Sequence, residues 1–158
     1  MITIRSLTPA DAPAVAALAA DFAAYMLGLG DSGPHNLTAE AILRDGFGPN
    51  AAFSGLVAAA WSAAADEASL AGYLLYHLGY DADLAARNLH VIDLYVSPAA
   101  RRQGAGRALM AEAVRLCRAA GGAYLFWAVW PPNRLAADFY LGLGAHYVQE
   151  LDFMTLTV

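Results

Sequence analysis

A chain of 158 residues with 59% apolar side chains is sized for one compact domain, 1–158, with a substantial core, which excludes wholesale disorder. Its formal charge is −5 and all nine of its cationic side chains are arginine, so a nucleic-acid partner is not expected. A single cysteine, Cys117, excludes an intrachain disulfide and a cysteine-based zinc site.

The N-terminal Ile2-Thr3-Ile4-Arg5 alternates and predicts a short strand. It has neither the basic start nor the long apolar stretch of a signal peptide. Thr8 can cap a helix with Pro9 at its first position and Asp11 in its first turn, running to about Met26. Gly28, Gly30, Gly33 and Pro34 mark residues 27–36 as a loop, and Thr38 opens a second, short helix ending near Gly46. Residues 53–61 and 69–78 read as two strands joined by a hairpin at 64–67. The alanine-rich stretch 51–65 is interrupted by Ser54, Gly55 and Ser62 and is too short for a bilayer span. No membrane partner and a cytoplasmic location are therefore expected. Residues 80–87, with Asp81 and Asp83, read as a polar crossing loop.

Residues 89–96 form a predicted central strand, followed by a helix over 104–119 with Leu109, Ala113 and Leu116 on one face. Gly121-Gly122 ends that helix. The nearly all-apolar run 123–130 suits a strand covered on both faces, and Pro131-Pro132 breaks it. A last helix spans 133–143, with Gly144 past its end, and 146–158 predicts one bent or two final strands. The order is mixed α/β, and the strand–helix–strand unit over 89–130 makes its two strands parallel neighbours.

The junction between 96 and 107 carries the strongest chemical signal. After Ser97-Pro98 come Arg101, Arg102, Gln103, Gly104, Ala105, Gly106 and Arg107, opening a helix. Free amides at a helix start, with arginines beside them, suit a phosphate-bearing ligand. A P-loop would need a lysine, and the chain has none. A dinucleotide fingerprint would need a third glycine where Leu109 stands. What remains is Arg101-x-x-Gly104-x-Gly106, to be set against a glycine-rich turn with solvated arginines.

This corner, paired with Asn133-x-x-Ala136-x-x-Phe139-Tyr140 and the closing Gly144, resembles the GNAT superfamily of acetyl-CoA-dependent N-acetyltransferases. Several segments are further similar to the spermidine/spermine (diamine) N-acetyltransferase group: 37–48, Ala71-Gly72-Tyr73-Leu74-Leu75-Tyr76, Asp93-Leu94-Tyr95-Val96 and Phe139-Tyr140-x-x-x-Gly144-Ala145. The resemblance implies a mixed sheet of about seven strands flanked by four helices, and a homodimer. It implies acetyl-CoA as cosubstrate and a small-molecule primary amine as acceptor, a diamine, polyamine or thialysine-like amine. Cofactor contacts carry over to Leu94, Tyr95 and Val96 along the pantetheine arm, to residues 101–107 at the pyrophosphate, and to Asn133 and Ala136.

Tyr140 carries over as the acid that protonates the leaving thiolate. The proton acceptor is open, because the diamine enzymes have Glu-Asp where this chain has Ile92-Asp93. Strand alternation would place Asp93 on the opposite face from Ile92 and leave His90 on Ile92's face as a substitute base. Trp127 and Asp152 are candidate acceptor-binding residues, an aromatic face and a negative charge for a cationic amine. His35, His77 and His146 have no metal spacing, and no metal is expected. Two alternatives remain: an enzyme of the same superfamily acting on a protein N-terminus or aminoglycoside-like amine, and a non-catalytic acetyl-CoA sensor.

Overall fold

The computed structural model describes residues 2–62, 67–149 and 154–156. Elements follow the order β1 (Ile2–Ser6), α1 (Ala12–Gly28), α2 (Ala39–Asp45), β2 (Ser54–Ser62), β3 (Glu67–Asp81), β4 (Ala86–Val96), α3 (Ala105–Ala119), β5 (Gly122–Phe126) and α4 (Arg134–Leu141). The strands form one sheet in the order β1-β2-β3-β4-β5, antiparallel except for the parallel β4–β5 pair. The chain divides into two compact units, Met1–Ala128 and Val129–Val158.

Each sheet face has its own cover. Tyr73 and Leu75 of β3, Val57 of β2 and Tyr95 of β4 pack with Val15, Leu18 and Ala19 of α1 and Ile42 of α2. Alternation turns Leu56, Leu74 and Leu89 to the other face, and all three are buried. There α3 contributes Leu109, Met110, Ala113 and Cys117. By length and composition the helical stretch Pro9–Gly28 is apolar enough to cross a bilayer; here its Val15, Leu18 and Ala19 face the sheet.

The start of α1 follows its sequence signal. A short 3-10 turn at Pro9–Asp11 precedes the helix, and the Thr8 amide and hydroxyl both donate to Asp11 Oδ2, at 2.8 and 2.7 Å. Arg5 of β1 grips the same carboxylate with two bonds of 2.7 Å. Asp11 is buried, and the Arg5 bonds outweigh that burial and hold its carboxyl well below the usual carboxylate range. Thr38 caps α2 as expected, its Oγ1 accepting from the Ala41 amide at 3.2 Å.

Three strand expectations change. There are five strands among the described residues rather than seven, because 145–149 and 154–156 lie in no strand and the rest of the C-terminal segment falls outside the described residues. The run 123–130 pairs only as far as Phe126: apolarity signals burial, whereas a strand also needs a ladder partner. The stretch 80–87 is a hairpin rather than a crossing loop. Asp81 pairs with Ala86, and the Asp81 carboxylate accepts from the Leu84 amide at 2.9 Å, closing the turn from within. The expected hairpin connection at 64–67 falls on residues 63–66, which lie outside the described residues; Ser62 and Glu67 are paired with each other.

The Arg5–Asp11 clamp sets a pH signature. The folded carboxyl titrates below its unfolded value of about 3.9, so its contribution is complete above that pH and drains away as pH falls further. Asp11→Asn should cost about 1–3 kcal/mol at pH 7. The variant should also lose less stability than the parent between pH 5 and pH 2.5, as read by urea denaturation at each pH.

Candidate functional site

The site is organised by what β4 does after β5 leaves it. The parallel ladder covers Arg87 to His90 of β4 and ends at the pair His90↔Phe126, whose rings stack 4.6 Å apart at 12°. β4 continues to Val96, paired on its β3 side only: Leu94 with Leu74, Tyr95 with Tyr73, Val96 with Gly72. Its other edge therefore presents backbone groups of Leu94 and Val96 that no β5 ladder occupies, while Tyr95 between them turns its own toward β3. Trp127 follows directly after the end of β5 and is half-buried.

A bulge lies in the same stretch. Leu75 pairs with Asp93 and Tyr76 with Val91, so Ile92 is an extra residue on β4. The period of two breaks there, which corrects the expectation that Ile92 and Asp93 face opposite ways. Both line one cavity of about 620 Å³ on the α1 side of the sheet. Ala16, Ala20 and Phe22 of α1 form one wall, residues 34–39 and Phe53 another, and Leu75 part of the sheet face. Such a volume is ordinary for a small-molecule site.

Inside this cavity the acid is Asp93. Tyr73 donates its phenol to Asp93 Oδ2 at 2.5 Å. Burial raises the Asp93 carboxyl above its ordinary value, against the pull of the Tyr73 and Leu94 hydrogen bonds. Burial, then the Asp93 charge, keeps the Tyr73 phenol protonated far above its usual range, so it stays a donor. His35 lines the cavity opposite, its Nε2 3.2 Å from Asp31 Oδ2, while Asp31 Oδ1 accepts the Gly33 amide at 2.9 Å. His90 lies outside the lining. Its Nδ1 is 3.0 Å from His77 Nε2, and burial with the neighbouring His77 pushes its pKa down. Leu75 and His77 are two apart on β3, so their partners Asp93 and His90 share a face, contrary to the expected alternation.

Beyond Val96 the chain makes the predicted corner. The first i→i−4 bond of α3 runs from the Ala108 amide to the Gly104 carbonyl at 2.9 Å, so the amides of Ala105, Gly106 and Arg107 precede the helical ladder. Arg102 at φ +59° and Gly104 at φ +88° are both left-handed. A Cβ on Gly104 would meet nothing within 4 Å, and the first turn of α3 holds no acid. Arg102 and Arg107 are exposed, and Gln103 donates to the Ala99 carbonyl at 2.8 Å. Arg101 instead turns back: its Nε donates to the Val96 carbonyl at 3.1 Å and its guanidinium lies over the rings of Tyr25 and Tyr95. One arginine thus braces the strand end, and two stand out from the corner.

The second unit holds α4. Asn133 caps that helix, its Oδ1 accepting the Ala136 amide at 3.2 Å. Phe139 and Tyr140 lie ring to ring at 5.1 Å, and Gly144 closes the helix in the left-handed region at φ +89°. Asp152 lies outside the described residues. Within Met1–Ala128 the fold thus brings Asp93, the β4 edge and the 101–107 corner into one continuous stretch of chain. Sequence reasoning missed Tyr73 and His35 as parts of the site. The signal for Tyr73 was the two-residue spacing to Leu75; for His35 no local signal exists, since it depends on how the 31–38 loop folds over the sheet.

Comparison with known proteins identifies the family and the fold. The sequence profile of the Acetyltransferase (GNAT) family matches residues 34–145. Thialysine N-epsilon-acetyltransferase of Bos taurus is 32% identical over 118 residues, 73% of this chain and 69% of that protein. Two solved structures share the fold at 18% identity. An integron cassette protein from the mobile metagenome of V. cholerae has a TM-score of 0.80, covering 99% of this chain and 93% of that one. The ribosomal-protein-alanine N-acetyltransferase of Brucella melitensis biovar Abortus 2308 has a TM-score of 0.75, covering 99% and 100%.

Removing the Tyr73 hydroxyl leaves a buried carboxyl short of a donor. Tyr73→Phe should lower stability by about 1–3 kcal/mol, measured from the denaturant midpoint. Asp93→Asn combined with Tyr73→Phe should cost less than the sum of the two single changes.

Proposed function

Since the chain belongs to the Acetyltransferase (GNAT) family and is an N-acetyltransferase, we propose that it moves the acetyl group of acetyl-CoA to the primary amine of a small diffusible molecule, acting as one domain. The carrying observation is the unladdered edge of β4 between the Asp93 cavity and the 101–107 corner. A pantetheine arm is a chain of amides, and a free strand edge is its natural complement. The corner fits a diphosphate: amides ahead of the helical ladder, left-handed Arg102 and Gly104, exposed Arg102 and Arg107, and no acid in the first turn. Acetyl-CoA supplies an activated thioester; the rest of the chemistry falls to the chain's own residues.

An alkylamine holds its proton to a pKa of about 10 and must lose it before it can attack. Asp93 is assigned that proton. Its buried carboxylate is more basic than an ordinary aspartate, and the Tyr73 bond fixes its orientation in the cavity. The Val96 amide, on the free edge, would donate to the oxygen that gains charge as the acetyl carbon is attacked. Asn133 and Ala136, at the start of α4, are assigned to the coenzyme side. Tyr140 is assigned the proton for the departing sulfur, a role that rests on its motif. Transfer is direct: Cys117, the chain's single thiol, is 1% exposed and bonded to the Tyr124 carbonyl, so it is no acyl carrier. His90, tied to His77 and stacked on Phe126, is assigned to holding β4 and β5 together at the point where they part.

The named activity of the bovine relative supports a thialysine-like or diamine acceptor over a peptide, and the volume of the cavity suits a molecule of that size. A homodimer, implied by the resemblance, is part of this reading and is tested by light scattering.

A thiol-release assay with acetyl-CoA should register turnover of at least one small amine from a panel of thialysine, alkylamines and diamines, and none of peptides. No release with any acceptor overturns the reading. Tyr140→Phe should cut turnover by about 10²-fold while leaving CoA affinity unchanged by calorimetry. Gly104→Val, forced into a left-handed conformation beside the diphosphate, should weaken CoA binding by roughly tenfold.

A further inference from the structure

Resting on the reading that the Asp93 cavity receives the acceptor, we propose that the acceptor is a primary amine whose adjoining segment is apolar and carries no second ammonium without a carboxylate of its own, and that Ile92 sets this preference. Among the described residues lining the cavity, Asp93 is the one carboxylate. Asp31, which reaches the cavity only through its His35 contact, is engaged on both oxygens, by the Gly33 amide and by His35. There is therefore one anionic anchor, suited to one ammonium.

Around that anchor the walls are mostly hydrocarbon, with His35, Asn36 and Thr38 as polar members that carry no carboxylate. Phe22, Leu37, Phe53, Leu75 and Ile92 all face the cavity. Ile92 is the informative member, because the bulge places it beside Asp93 and yet leaves it 45% exposed. A large apolar side chain open to the cavity is a surface that a ligand's alkyl segment would cover. A second ammonium four or five atoms from the first, with no carboxylate of its own, would instead lie along Ile92 and its neighbours without a counter-charge. A carboxylate at position 92 would supply that missing partner.

The test compares n-pentylamine with cadaverine, which have the same carbon chain but one or two ammonium groups, in the thiol-release assay at saturating acetyl-CoA, with thialysine as reference. The unmodified enzyme should favour n-pentylamine over cadaverine by at least about tenfold in kcat/KM. Ile92→Glu, at a half-exposed position and checked for an unchanged melting temperature, should reduce that ratio by about tenfold or more, mainly by improving cadaverine. Leu37→Glu on the facing loop should move the ratio the same way. Should neither variant fold, the unmodified enzyme's ratio decides alone. A ratio near or below one in the unmodified enzyme, or an unmoved ratio in folded variants, overturns the proposal. Turnover of thialysine with neither simple amine accepted overturns it while leaving the parent reading in place. No release with any amine overturns the parent reading and this inference with it.

Discussion

A strand that loses its neighbour halfway along must still satisfy its backbone, and this demand organises the site. β5 accompanies β4 only as far as the His90↔Phe126 pair, after which Leu94, Tyr95 and Val96 are held from the β3 side. Arg101 meets part of the demand by returning its Nε to the Val96 carbonyl. The rest of that edge is open to a ligand carrying amides of its own. The parting of two strands, rather than any single reactive side chain, gives the proposed coenzyme its place.

The bulge at Ile92 works in the same short segment and on the other substrate. One inserted residue swings two consecutive side chains, Ile92 and Asp93, into one cavity. It thus sets hydrocarbon beside a buried acid. Tyr73, fully buried on β3, keeps that acid oriented, and Tyr73 is fixed in turn by the α1 packing that also buries Leu75 and Tyr95. Core packing and acceptor chemistry therefore share residues, and a change to one is felt in the other.

Much of the scaffold was legible because its signals are local. Thr8, Pro9 and Asp11 mark the entry to α1, Thr38 and Gly46 bracket α2, and Arg101 through Arg107 announce the α3 corner. What stayed hidden depends on partners distant in sequence. Nothing in Val91-Ile92-Asp93 signals a bulge, which exists only relative to the register of β3. The turn between β3 and β4 lacks the usual glycine or asparagine, Ala85 instead taking φ +49° while Asp81 closes the loop. The apolar run after Phe126 reads as strand because hydrophobicity records burial, not ladder pairing. His35 enters the cavity only through the fold of the 31–38 loop, anchored by Asp31.

The burial of Cys117 has a practical corollary. Its sulfur sits beneath β5, donating to the Tyr124 carbonyl, and burial raises the thiol above its ordinary pKa. A native fold of this kind keeps the chain's only sulfhydryl neutral and out of reach of disulfide reagents. Any chromogenic signal such a reagent gives during turnover would come from coenzyme set free, with unfolding marked separately by the late appearance of one further equivalent per chain.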